Sequence, residues 1–257
     1  MAANKWASDL SAWAIPESII SKAPESPWIH PPAMFVLPTD IPDSPSHQRA
    51  REAMPLGGTV LDIGCGGGIA SFAIAPPAGN LIGVDHQNEM LEMFSRSALE
   101  KKLPHQVFLG DWPQVSPQVP QADVVTCHHV VYNVSAIEPF LAALHAHATK
   151  RVVIELPQQH PLSSLRDAWR HFWNLDRPTN PTSQDLVQVL NEMGIQANLE
   201  LWPGPKLRQV SIEDDIRFLR IRLCLDSSRD SEIRKFLEAQ KPMDSRALAT
   251  IWWDVNQ

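Results

Sequence analysis

A chain of 257 residues with 22 Lys and Arg against 29 Asp and Glu carries a formal net charge of −7 and lacks the basic footprint that a nucleic-acid backbone requires. Its cysteines, Cys65, Cys127 and Cys224, form no CxxC pair, which argues against a metal centre and predicts reduced thiols in a cytoplasmic protein. No apolar run reaches the roughly 18 residues of a membrane span, and Met1 leads into no secretory h-region, so neither a membrane partner nor export is expected.

The length suits one large α/β domain with appendages. Residues 1–43 read as an N-terminal extension. Trp6, Leu10 and Trp13 are spaced for one face of a short helix, and a second turn falls at Glu17–Lys22. Prolines at 16, 24, 27, 31, 32, 38 and 42 then prevent any long regular element. Two roles fit this extension. Trp6, Trp13 and Trp28 are expected to bury against the main domain, or the segment is a lid that presents Trp13 and Trp28 to a small substrate. Ser44-Pro45 supplies an N-cap and a first-turn proline for a helix through about Met54, where the main domain, 44–257, begins.

From Thr59 short apolar runs alternate with amphipathic ones. Strands are expected at Thr59–Ile63, Leu81–Asp85, Gln106–Leu109, Ala122–Cys127 and Arg151–Leu156, with helices at Ile69–Ala75, Glu89–Lys101 and Ala136–Thr149 between them. The last of these helices carries a Ser135-x-x-Glu138 capping-box pattern. Beyond Leu156 a helical stretch spans Leu162–Leu175, and Thr182-x-x-Asp185 opens a helix that Gly194 ends. A strand near Ala197–Trp202, helices at Ile212–Leu225 and Ser231–Ala239, and a strand at Ala247–Val255 complete the chain, leaving helical insertions near 161–180 and 205–240. The expected fold is α/β: a doubly wound, mostly parallel, seven-stranded sheet with ligands at the carboxyl ends of its strands.

The densest chemistry lies in Thr59-Val60-Leu61-Asp62-Ile63-Gly64-Cys65-Gly66-Gly67-Gly68, a strand ending in an acid and turning through glycines into a helix. Two ligand classes compete for such a unit. A dinucleotide turn needs Gly-x-Gly-x-x-Gly, and counting from Gly64 the third position is Ile69. Asp62 would also repel a pyrophosphate, whereas it suits a ligand carrying an amine. The stretch resembles the first motif of the class I methyltransferases that use S-adenosylmethionine, acid-x-Gly-x-Gly-x-Gly, matched in full by Asp62 to Gly68.

The resemblance extends downstream. It implies that Asp62, Gly64, Cys65 and Gly66 line the cofactor, and that Asp85, with His86 beside it, accepts from the ribose hydroxyls, a role suited to a bidentate carboxylate. Met90 would lie on the adenine, Gly110-Asp111 would meet its amino group, and Trp112 would cover the ring edge. Asp123 to His129 resembles the fourth motif, where methionine and substrate meet, which places His128 beside the sulfonium. The fold would then be the Rossmann-like methyltransferase fold and the cofactor S-adenosylmethionine.

Methyl transfer is a displacement on an already activated sulfonium, so a base is needed only where the acceptor must lose a proton. His128, His129 and Tyr132 are the catalytic candidates, and alternation at the strand end should turn only one of the histidines into the pocket. Glu155 and His160, at and beyond the fifth strand's end, are candidate substrate contacts. Arg217, Arg220 and Arg222 read as a solvated helix face, with a clamp for a substrate carboxylate as the alternative. The expected partner is a small-molecule methyl acceptor. Rival readings are an S-adenosylmethionine-binding protein without catalysis and a nicotinamide-dependent oxidoreductase.

Overall fold

The computed structural model describes residues 1–28, 36–206, 211–240 and 245–255. Seven strands form one sheet: β1 (Thr59–Ile63), β2 (Asn80–Asp85), β3 (His105–Leu109), β4 (Ala122–His128), β5 (Ala148–Pro157), β6 (Asn198–Lys206) and β7 (Ser245–Asp254). Their order is β3-β2-β1-β4-β5-β7-β6. The first five run parallel, and β7 lies antiparallel between β5 and β6. The expected doubly wound, Rossmann-like sheet is therefore the observed one.

Helices cover both faces: α1 (Ala2–Ser11), α2 (Glu17–Ile20), α3 (Pro45–Ala53), α4 (Ile69–Ala73), α5 (Asn88–Glu100), α6 (Ile137–His147), α7 (Arg166–Trp173), α8 (Ser183–Glu192), α9 (Ile212–Arg222) and α10 (Asp230–Ala239). Strand alternation divides the core. Leu61, Ile63, Val125, Cys127, Val152 and Ile154 pack against α1, α6 and α8, while Val60, Leu81, Val124 and Val153 meet α3, α4 and α5. A third cluster joins Ile19 of α2 to Trp169, Leu219 and Ile233, so the two helical insertions and the second N-terminal helix pack as one satellite body.

Local signals set several boundaries. Ser44 Oγ accepts from the His47 N–H and starts α3, and Thr182 and Asp185 form a reciprocal capping box on α8. The box expected at Ser135 and Glu138 does not form: α6 begins after Ala136, so Ser135 precedes the N-cap and Glu138 falls one position short of N3. The same helix stops at His147, since Ala148 and Thr149 already belong to β5. Among the described residues no helix is long and apolar enough to cross a membrane.

The described part of the N-terminal extension is packed. Trp6 is 1% exposed, stacks on Tyr132 with ring centroids 5.6 Å apart and donates from Nε1 to Val134 O at 2.9 Å. Trp13 is buried too, and its Nε1 donates to Asn180 O at 2.5 Å. Trp28 departs from the expectation of burial: it is 48% exposed. Residues 29–35 of the candidate lid lie outside the described residues. Since Trp6 fills the α1–α6–α8 core, Trp6→Ala should lower unfolding stability by about 3–5 kcal/mol in a urea titration, with an unchanged slope; a cost under about 1 kcal/mol would show that the extension is not part of the core.

Candidate functional site

The turn between β1 and α4 is shaped by glycines in left-handed conformation: φ is 69° at Gly64, 50° at Gly66 and 94° at Gly68. A Cβ at Gly64 would overlap Val130 Cγ2, so the strand β4 exit and the turn are in direct contact. Several backbone donors of the turn are spent internally. The N–H groups of Gly64 and Cys65 both bond Val84 O, at 2.8 and 3.0 Å, and that of Gly66 donates to Asp85 Oδ2 at 3.0 Å. The turn thus supplies room and a fixed path. Cys65 is buried, and burial followed by the Asp62 and Asp85 charges pushes its thiol pKa up, so it is an inert wall.

Asp62 lies beneath this turn. Its Oδ2 accepts from Ser71 Oγ at 2.9 Å and its Oδ1 from Thr126 Oγ1 at 3.0 Å. Burial raises its pKa to about 6, against the lowering effect of those hydroxyls. Asp85 ends β2 and also accepts from Gln87 N at 2.9 Å, leaving each oxygen a further lone pair. His86 is largely exposed, with Nδ1 3.6 Å from Asp85 Oδ1. Gly110 donates to Asp85 O at 3.0 Å, which ties the β3 exit to the β2 exit, and Met90 is buried in the first turn of α5. The structure therefore brings Asp62, Gly64, Cys65, Gly66, Asp85, His86 and Gly110 to one edge. Asp111 is exposed on that edge, whereas Trp112 sits in the α6-side core, edge-on to His147 at 4.8 Å, with Nε1 buried and unpartnered.

Strand register gathers a second set. Asp62 pairs with Thr126 across β1 and β4, and His128 pairs with Glu155, which pairs with Thr250, across β4, β5 and β7. By the two-residue alternation these side chains share the face that α3 covers. From α3, Ser44 Oγ donates to Glu155 Oε2 at 3.1 Å, Ser46 Oγ lies 2.6 Å from Thr250 Oγ1, and His47 stacks on His128 with centroids 5.7 Å apart. The sequence reading missed Ser46, His47, Thr126 and Thr250. The i, i+2 spacing of Thr126 and His128 was a readable signal; the position of α3 was not.

The two adjacent histidines diverge as alternation predicts. His128 Nε2 is buried without a partner, while His129, at φ 60°, places Nε2 3.1 Å from Glu155 Oε1 on the exposed side. Burial lowers the His128 pKa, Glu155 opposes and His129 adds to it; burial and then His128 lower His47 to about 4. Burial by itself would raise Glu155, but the His128 charge, the His129 bond and charge and a Ser46 hydroxyl outweigh it and hold the carboxyl well below its usual range. The buried pair His47 and His128 is thus held toward the neutral form beside an ionised Glu155.

A third group forms beyond β5. His160 stacks on Trp13 at 4.1 Å and meets Tyr132 edge-on at 5.3 Å. The Tyr132 hydroxyl donates to Pro157 O at 2.9 Å, and burial pushes its pKa up, so its proton is held on the backbone rather than poised for exchange. Trp28 is exposed, and its backbone N–H donates to Ser26 Oγ at 3.4 Å. Arg217 is exposed as expected of a solvated face, but Arg220 pairs with Asp230 at 2.6 Å and Arg222 is buried, donating to Pro27 O. Among the described residues no three His, Cys, Asp or Glu side chains are placed to hold a metal ion.

Comparison with known proteins agrees with this arrangement. Residues 60–150 match the sequence family described as a methyltransferase domain. The chain is 28% identical over 211 residues to an uncharacterized protein of Haemophilus influenzae, covering 77% of this chain and 76% of that one. It is 34% identical over 94 residues to a ubiquinone biosynthesis O-methyltransferase of Psychrobacter arcticus, covering 35% and 37%. The crystal structure of the YcgJ protein of a Bacillus shares the fold, with a TM-score of 0.55 at 17% identity, covering 81% of this chain and 97% of that one. Residues 60–150 thus carry a methyltransferase-domain match on a sheet whose fold is shared with the Bacillus protein.

The depressed histidines set an acid limit. His47 and His160 are both lowered to about 4 and His128 is lowered as well, so between pH 6.5 and 4 the unfolded chain binds protons that the folded chain refuses. Stability therefore falls as pH drops through that window, and Asp62, raised to about 6, opposes it by binding a proton first in the fold. Urea unfolding at about pH 7 and about pH 5 should show a net loss, and His47→Leu should flatten it by up to about 1.4 kcal/mol per pH unit. An unchanged slope in that variant would mean that His47 is protonated in the fold.

Proposed function

We propose that the chain transfers the methyl group of S-adenosylmethionine to a small-molecule acceptor in the cytoplasm, by in-line displacement. The observation that carries this is the constellation at the carboxyl edge of β1, β2 and β4 inside a methyltransferase domain: a glycine turn of left-handed residues, with Asp85 bound to the turn at Gly66. The residues fit the cofactor. Asp85 keeps free lone pairs for the two ribose hydroxyls, Met90 and Cys65 give apolar walls, and Gly64 and Gly66 keep the turn free of side chains. Gly110 and Asp111 stand where the adenine amino group would be met. The bound cofactor supplies an electrophilic methyl group on a sulfonium.

The rest of the work falls to the protein's own side chains. An acceptor has to lie behind the methyl group with water excluded, which is worth more than any single acid or base. Where the acceptor is a hydroxyl, His128 is the group suited to take its proton: Nε2 is neutral and unpartnered, and Glu155 beside it stabilises the imidazolium that forms. His129 holds Glu155 from the solvent side, and His47 packs on the His128 ring and keeps it in place. The O-methyltransferase named among the relatives is consistent with a hydroxyl acceptor.

Isothermal calorimetry with S-adenosylhomocysteine tests the cofactor assignment. Binding should weaken about 10- to 100-fold in Asp85→Ala, the scale of losing hydrogen bonds to a charged acceptor, and less in Asp85→Asn, which still accepts from Gly66 N–H. Wild-type protein that gives no heat with S-adenosylhomocysteine would overturn the proposal.

A further inference from the structure

The carboxyl end of β5 carries an electrostatic feature that the cofactor site does not use. Because β7 runs antiparallel to β5, it starts where β5 ends: Leu248 pairs with Pro157, and the Gln158 N–H bonds Ala247 O at 3.0 Å. Arg246 is thereby brought to the edge that holds His160. The segment between α7 and α8 returns to the same edge, through the bridge of Gln159 to Thr182, and brings Arg177. Three basic side chains from three separate stretches of sequence meet there. Both arginine charges bear on His160 and, after burial, lower its pKa.

In a chain of net charge −7, no ion pair to a carboxylate is formed by this cluster among the described residues: neither Arg177 nor Arg246 has one, whereas Arg220, Arg229 and Arg234 of the satellite body each pair with an acid. Arg177 is buried, its guanidinium carbon 5.5 Å from the Trp13 ring and 5.1 Å from the Trp169 ring. Its Nη atoms donate to the carbonyls of Trp13 and Ala14, and its Nε is buried without a partner. Arg246 is half-buried and makes one long bond, 3.4 Å, to the hydroxyl of exposed Ser164. His160 Nδ1 accepts from the Leu162 N–H at 3.3 Å, which puts the ring proton on Nε2, where it is a donor. A buried guanidinium that meets only carbonyl dipoles and aromatic faces leaves a positive potential that a planar anion can neutralise.

We propose that this cluster binds a carboxylate on the methyl acceptor, with Arg246 and His160 Nε2–H as the contacting donors and Arg177 as the buried charge behind them. Tyr132, which touches His160 and lies on the loop that leaves β4, connects this subsite to the histidine that faces the methyl group. The inference deepens the methyltransferase reading by assigning its acceptor a chemical class: a small organic acid. The two arginines replace the α9 arginines, whose partners are Asp230 and the Pro27 carbonyl.

The test is thermal-shift and calorimetric binding of a panel of aryl and aliphatic carboxylic acids, each paired with its own primary carboxamide, to the full chain. Measurement with and without S-adenosylhomocysteine keeps this contrast readable even if the cofactor assignment fails. Wild-type protein should bind at least some acids about tenfold or more tightly than their amides, the scale of a charge-assisted bond. Arg246→Gln should abolish that preference, and Arg246→Lys, which keeps the charge, should retain one, with near-ultraviolet circular dichroism showing both variants folded. If no acid exceeds its amide in the wild type, or if Arg246→Gln keeps the preference, the proposal is overturned.

Discussion

Asp62 has to be a buried carboxyl with a hydrogen bond on each oxygen, and much of the site follows from that constraint. It is 1% exposed, and a carboxylate taken out of water costs several kcal/mol unless donors replace the solvent. One donor, Ser71, comes from α4, and the other, Thr126, from β4. Those two bonds fix where α4 starts relative to β1 and force the connecting turn through left-handed glycines. They also fix the parity of β4. A slip of one residue between β1 and β4 would turn Thr126 and His128 into the aliphatic α6 face, so Asp62 indirectly determines that His128 emerges at the ligand edge.

The alternation of short apolar runs with amphipathic ones was enough to read the sheet, because parallel strands buried on both faces consist of continuous Val, Ile and Leu. The glycine turn and Asp85 were readable for a related reason: their chemistry is local, within one strand and its exit. Residues whose role depends on register were not. Thr250 is nearly a hundred positions from Glu155 in sequence, and nothing near it announces that an antiparallel β7 will set it opposite that acid. His47 looked like one more polar residue of a first helical turn until α3 was laid over β4 and β5. Ser135 and Glu138 had correct capping spacing, but the helix starts one residue late, with Ala136 rather than Ser135 at the N-cap.

Burial holds His47 and His128 toward the neutral form, which suits the sulfonium that the proposed function puts beside them. An imidazolium held a few ångströms from a sulfonium would repel it in a poorly solvated site, where the interaction is several times stronger than in water. Burial of His47 and His128 disfavours their charged forms, and Glu155 is ionised beside them. The negative charge does not make the histidines cationic in the resting site. It lowers the cost of making one of them cationic when a proton arrives, which is the condition a transient base needs.

Electrostatics also restricts what the N-terminal extension does. Arg177 reaches past its own helix pair to the carbonyls of Trp13 and Ala14, while the Trp13 ring lies between that guanidinium and His160. Lifting residues 1–14 as a rigid flap would strip those acceptors from a buried cation, remove the stacking partner of His160 and empty the core position of Trp6 together. Each loss by itself is of order one to several kcal/mol. An element tied down at three points is a fixed wall, and under the proposed function Trp13 would shape the acceptor's surroundings by staying where it is.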